Sequence, residues 1–100
     1  MPKVKHISLF QFKESAAPDQ VENLFQELLD VTETVPGIED YVWGPNCSAE
    51  GLNQGYTYGF VMSFRDAEAR DAYLAHAEQG RIKNALKSHA EAMLVFDFEL

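Results

Sequence analysis

Few side chains in this sequence can hold or move a proton near neutral pH: three histidines, at 6, 76 and 89, and one cysteine, Cys47. His6 lies in the run Val4-Lys5-His6-Ile7-Ser8-Leu9-Phe10. Period-2 alternation puts His6 and Ser8 on one face of a strand. An imidazole there can take a proton from an acidic C–H group, or hold a ligand carbonyl or carboxylate. A phenol brought across from Tyr73, on the apolar side of its helix, can donate to a developing oxyanion. The same groups also suit a filled core. His6 would then be hydrogen-bonded to a neighbour, with Ser8 the candidate partner, and Tyr73 would have a satisfied hydroxyl. His76 and His89 stand near the ends of helical segments, where terminal carbonyls, or Glu78 for His76, are suitable partners. The spacing 6, 76, 89 contains no HxH or HxxxH pair, so no metal site is expected. Cys47 sits alone in a polar loop without a CxxC pattern. Gly51 and Gly55 lack the strand-to-helix setting of a phosphate-cradling loop, and no cofactor is implied.

The elements that must position these groups read β-α-β-β-α-β. The first strand spans Val4 to Phe12. A helix follows Pro18, with Asp19 and Glu22 at its positive N-terminal end. Its apolar stripe is Val21, Leu24, Phe25, Leu28 and Val31 or Thr32, widened by Leu29. Pro36-Gly37 stops it. Ile38 to Trp43 is a short aromatic strand ended by Gly44-Pro45, and Asn46 to Gly55 is a polar loop expected to be mobile. A strand over Tyr56 to Phe64 follows. Asp66 caps a helix carrying Ala69, Arg70, Tyr73 and Leu74, Gly80 marks a break, and a second segment runs from Ile82 to Glu91. The last strand contains Met93-Leu94-Val95-Phe96-Asp97-Phe98 and ends the chain. This order predicts an α+β, ferredoxin-like protomer with a four-stranded antiparallel sheet, as a single domain over residues 1–100.

Three of these strands are apolar on both faces, as expected of strands covered on both sides. The helices can cover one face only. Ile7, Leu9, Val61, Leu94, Phe96 and Phe98 form a wholly apolar outer set. At roughly 1.5–3 kcal/mol for each large side chain fully buried, such a set is costly to leave wet. A second copy of the chain is the economical cover, giving a homodimeric α+β barrel. The inner set carries His6, Ser8, Phe10, Met93 and Val95. With Phe25, Leu28, Tyr58, Phe60, Met62, Tyr73 and Gln79 these residues can line a largely greasy pocket under the helices for a small hydrophobic or aromatic ligand. They can equally fill a core. Asp97 lies in the last apolar run, where an ion pair or hydrogen bond to another element accounts for it.

The net charge of −8, from 16 acidic and 8 basic side chains, and the interleaving of Arg65, Arg70, Arg81, Lys83 and Lys87 with carboxylates argue against a nucleic-acid surface. No apolar run approaches the ~18 residues of a membrane span. The opening Met-Pro-Lys-Val-Lys lacks the apolar stretch of a signal peptide, and a cytoplasmic location is expected.

The opening Val-Lys-His, Val35-Pro36-Gly37, Trp43-Gly44, Gly55-Tyr56-Thr57, Tyr73 with His76, and the closing Val95-Phe96-Asp97-Phe98 occur in an order that resembles the stress-responsive A/B barrel domain (Dabb) family over essentially the whole chain. The resemblance implies ferredoxin-like protomers joined through their sheets. It also places a pocket between helices and sheet. Some members are plant stress or antimicrobial proteins, and a few are polyketide cyclases that use a tyrosine and the second histidine of a Tyr-x-x-His-Pro-x-His segment. Here the segment reads Tyr73-Leu74-Ala75-His76-Ala77-Glu78-Gln79. Ala77 replaces the proline, and Gln79 stands at the catalytic histidine's position. A glutamine amide hydrogen-bonds but does not titrate near neutral pH. The resemblance thus leaves three readings: a small-molecule-binding module anchored by His6, Ser8 and Tyr73; a cofactor-independent cyclase-like lyase with His6 as base and Tyr73 as oxyanion donor; or a monooxygenase of the related dimeric barrels.

Overall fold

In the first strand every second side chain is buried, and the rest of the molecule is arranged around that alternation. The computed structural model describes residues 2–100. Strand β1 (Val4–Phe12) is followed by α1 (Pro18–Thr32), β2 (Ile38–Pro45), β3 (Tyr58–Phe64), α2 (Ala67–Ala75), α3 (Ala77–His89) and β4 (Ala90–Glu99). The strands form one antiparallel sheet in the order β2-β3-β1-β4. Val4, His6, Ser8 and Phe10 of β1 are buried beneath the helices, while Lys5, Ile7 and Leu9 face the other way and are half-buried. The Cα envelope measures 39 × 30 × 16 Å, a two-layer slab with helices on one side of the sheet.

Strand registry carries the same split across all four strands. On the bare face, Val42, Val61, Ile7 and Phe96 form one row, and Gly44, Gly59, Leu9 and Leu94 the next. Leu94, Phe96 and Phe98 are 44%, 59% and 42% exposed, the apolar outer set expected from sequence. On the helix-covered face, Tyr41, Met62, His6 and Asp97 form a row beside Trp43, Phe60, Ser8 and Val95.

Several boundaries differ from the sequence expectation. The helical region breaks at His76, whose extended backbone (ψ 130°) separates α2 from α3, and not at Gly80, which lies inside α3. The His76 ring supplies the reason: its Nδ1 accepts the Glu78 backbone N–H at 3.2 Å and restarts the helix as a cap. Asp66 caps α2 as expected, accepting from the Ala69 N–H at 2.9 Å. Helix α3 starts at Ala77 and ends at His89, not Glu91, because the chain passes straight into β4 at Ala90. Strand β3 begins at Tyr58, two residues later than the pattern suggested. Thr57 is instead used to fasten the preceding loop, its N–H donating to the Phe10 carbonyl at 2.9 Å. That loop, expected to be mobile, is also held by Asn46 N–H to the Thr57 carbonyl (2.7 Å) and the Asn53 side-chain amide to the Tyr56 carbonyl (2.9 Å).

Gly37, at the end of the first crossover, has φ +91°, and a Cβ there would lie 2.5 Å from the Ala69 Cβ. Only glycine lets this turn seat against α2. Gly80 has open space around its Cα and a helical setting. Gly37→Ala is therefore expected to destabilise the fold by roughly 1–3 kcal/mol, whereas Gly80→Ala stabilises it by about 0.4–1 kcal/mol. Urea denaturation midpoints of the two variants check both signs, and a destabilised Gly80→Ala would reinstate a break at that position.

Candidate functional site

Beneath the helices, against the central and last strands, lies a cavity of about 180 Å³. Its floor is His6, Ser8 and Phe10 of β1 with Phe60 of β3. Leu28 of α1 and Tyr73 and Leu74 of α2 wall one part, and Gln79, Lys83 and Leu86 of α3 another. Met93, Val95 and Asp97 of β4 complete it. The break at His76 matters here. It turns α3 so that Gln79, in the first turn, is buried (4% exposed) beside Tyr73. The helices leave the outer part of β4 uncovered, so Val95 is half-exposed and the cavity opens along that edge.

The strongest polar contact in the site joins β1 to β4. His6 Nδ1 lies 2.6 Å from Asp97 Oδ1, and the other Asp97 oxygen accepts from Arg70 Nη1 at 3.2 Å. Because a carboxylate only accepts, the short contact assigns the His6 proton to Nδ1 and leaves Nε2 as the second functional nitrogen. The imidazole is almost wholly buried, with its ring edge-on to Phe64 and Tyr73 at 6.1 Å each. Sequence reasoning paired His6 with Ser8. The structure gives His6 to Asp97 and leaves the fully buried Ser8 Oγ with no hydrogen-bond partner among the described residues. An unpaired buried hydroxyl at a cavity wall costs on the order of 1–3 kcal/mol unless something entering the cavity satisfies it.

Burial pushes the Tyr73 phenol well above its usual pKa, and the Gln79 amide opposes this only in part. The Tyr41 phenol is raised in the same way. Burial is the main cause, with added repulsion from the Tyr73 and Glu22 charges, and its hydroxyl donates to the Phe25 carbonyl at 3.1 Å. Tyr73 therefore presents a neutral hydroxyl, suited to donating a hydrogen bond and unsuited to acting as a base.

The structure brings His6, Ser8, Phe10, Leu28, Phe60, Tyr73, Gln79, Met93 and Val95 to one cavity. Phe25, Tyr58 and Met62 do not line it. Phe25 is stacked on Trp43 and Tyr58 at about 6 Å and fills the β2 side of the core, and Met62 is sealed between Tyr41 and His6. Leu74, Lys83, Leu86 and Asp97 line it although sequence reasoning did not assign them there. Asp97 carried a readable signal, a carboxylate on the same strand face as Met93 and Val95. His76 and His89 lie outside it, and no cluster of three metal-ligating side chains occurs among the described residues.

Comparison with known proteins bears on this site. The stress responsive A/B barrel domain model matches residues 4–100. A stress-response A/B barrel domain-containing protein of Arabidopsis thaliana is 29% identical over 96 residues, which span 96% of this chain and 88% of the relative. Olivetolic acid cyclase of Cannabis sativa is 25% identical over 95 residues, covering 95% of this chain and 94% of the cyclase. A dimeric ferredoxin-like protein of unknown function from Jannaschia sp. CCS1 superposes with a TM-score of 0.92 at 26% identity, covering 98% of this chain and 99% of the other.

The raised tyrosines make a prediction for alkaline solution. A group whose pKa is higher folded than unfolded leaves stability undiminished below its unfolded value, about 10, and erodes it above. Stability should thus fall above pH 10 with a slope approaching roughly 1.4 kcal/mol per pH unit for each of Tyr41 and Tyr73. Denaturation at several pH values checks the sign. Tyr73→Phe should shallow the slope, and an unchanged slope would remove Tyr73 from the account.

Proposed function

The chain belongs to the stress-responsive A/B barrel domain family, and we propose that it works as a homodimeric small-molecule-binding module whose ligand occupies the cavity under α2 and α3. The observation that carries this reading is the cavity itself, whose lining sets the buried polar residues His6, Ser8, Tyr73 and Gln79 among apolar side chains. Tyr73 and Gln79 add hydrogen-bonding groups, and Phe10, Leu28, Phe60, Leu86 and Met93 add apolar wall. This mixture is typical of sites that bury an organic ligand and orient it with a few polar contacts. The volume of about 180 Å³ exceeds only slightly the ~150 Å³ cavity that accepts benzene, so the ligand portion inside is one ring or a short chain.

A second reading has its own observation. Asp97 fixes the His6 tautomer, which leaves Nε2 to accept a proton, and Tyr73 supplies a neutral donor nearby. That pair suits abstraction of an acidic C–H proton with hydrogen bonding to the resulting enolate oxygen. Likeness to olivetolic acid cyclase supports carbon–carbon chemistry of this kind, with His6 taking the part that Gln79 cannot.

Self-association is supported by the bare sheet face and by the dimeric description of the Jannaschia protein. Sedimentation at micromolar concentration should give twice the protomer mass, and Phe96→Glu, at the β4 end of the Val42-Val61-Ile7-Phe96 row and 59% exposed in the protomer, should give a monomer. A wild-type monomer would overturn the dimer.

Titration with phenol, followed by backbone amide NMR, tests the pocket. Shifts are expected at Ser8, Tyr73, Gln79 and Met93, with the affinity reduced roughly five- to tenfold in Ser8→Ala. No shift at millimolar phenol, or shifts confined to the outer face, would refute the pocket. Turnover of a β-keto thioester that disappears in His6→Ala would select the second reading.

A further inference from the structure

The cavity lining includes a cation, Lys83, that forms no ion pair among the described residues. It lies on α3 and is only partly buried. The other charged lining residue, Asp97, is already engaged: one oxygen takes the His6 N–H and the other the Arg70 guanidinium. Arg70 is in turn shared with Asp71 at 3.1 Å. Among the described residues Lys83 is therefore the one charge on the lining without a counter-ion, in a chain whose net charge is −8. A lysine placed against apolar wall, with acidic side chains abundant and none paired to it, is poised for an anion from outside.

We infer that Lys83 selects the ligand's charge, and that the cavity takes a small monocarboxylic acid, its carboxylate held by Lys83 and its apolar body inside. This rests on the pocket reading above and narrows its ligand class. The choice of a carboxylate follows from the donor set. A single ammonium with no arginine fork suits a monoanion, whereas a phosphate dianion calls for several converging donors. The polarity of the cavity gives the orientation. Ser8, on the central strand, is fully buried and lacks a partner, while Lys83 reaches solvent. The ligand is thus charged at one end, at Lys83, and carries a hydroxyl or carbonyl at the other, toward Ser8. 4-Hydroxybenzoate has this pattern and serves as the probe.

Calorimetric or NMR titration of the whole chain with 4-hydroxybenzoate and its neutral isostere 4-hydroxybenzamide, at pH 7, tests this. The carboxylate is expected to bind roughly 5- to 20-fold more tightly than the amide, and the ratio should shrink as salt is raised. In Lys83→Met the ratio should fall to about one, and in Lys83→Arg it should be largely retained. Equal binding of acid and amide to the wild type, or a preference that survives in Lys83→Met, would overturn the assignment while leaving the pocket standing. Failure of both compounds to bind would overturn the pocket and the assignment together.

Discussion

A carboxylate on the last strand meets an imidazole on the first, 91 residues away in the chain, and the register between these strands decides what the molecule has inside it. With Ile7 opposite Phe96 and Ser8 opposite Val95, His6 and Asp97 share the helix-covered face. A slip of one residue in β4 would carry Asp97 to the bare face and bring Phe96 or Phe98 inward, since side chains alternate with period 2. The contact is short, largely shielded from solvent and extended by Arg70 from α2, so it ties the edge strand to the sheet centre and to a helix. Replacing Asp97 by an apolar residue would leave the His6 N–H and Arg70 without that acceptor. The polar interior is thus a device of register as well as a candidate site.

Much of the protomer could be read from the residues because its signals are periodic. The alternation of β1 and the apolar stripe of α1 correctly assigned the buried faces, and Ile7, Leu9, Leu94 and Phe96 emerged on one sheet face as their spacing required. What could not be read was whatever depended on a single side chain overriding a pattern. His76 restarts a helix by capping it with a ring nitrogen, a role that ordinary cap preferences give to Ser, Thr, Asp or Asn. Glycine at position 80 carries the usual signature of a break and sits inside a helix.

The candidate site was legible in kind more than in membership. His6, Ser8 and Tyr73 stood out as polar groups on apolar faces, and all three reach the cavity. That Asp97 pairs with His6 in particular could not be read, because hydrogen bonding between strands follows from register, which single-strand patterns leave open. Phe25 and Phe60 illustrate the remaining difficulty. Both are buried aromatic residues at core-facing positions, yet Phe60 lines the hole and Phe25 fills solid core, stacked on Trp43 and Tyr58. Pattern identifies the inward face; three-dimensional packing decides where that face is left empty.

Leaving it empty has a cost that links the two faces of the sheet. An enclosed, dry cavity of about 180 Å³ would forfeit roughly 4 kcal/mol at the 24 cal/mol per Å³ found for core truncations, and the opening along β4 lowers that figure. That is a large part of the ~5–15 kcal/mol that holds a small domain together, and a 100-residue chain has little spare core to offset it. In the proposed dimer the outer face carries a compensating term. Burying Leu94, Phe96 and Phe98 against a second copy contributes up to roughly 1.5–3 kcal/mol for each side chain taken fully out of water. On this account the proposed dimer is what lets the inner face keep Ser8 unpaired and a ring-sized hole beside it.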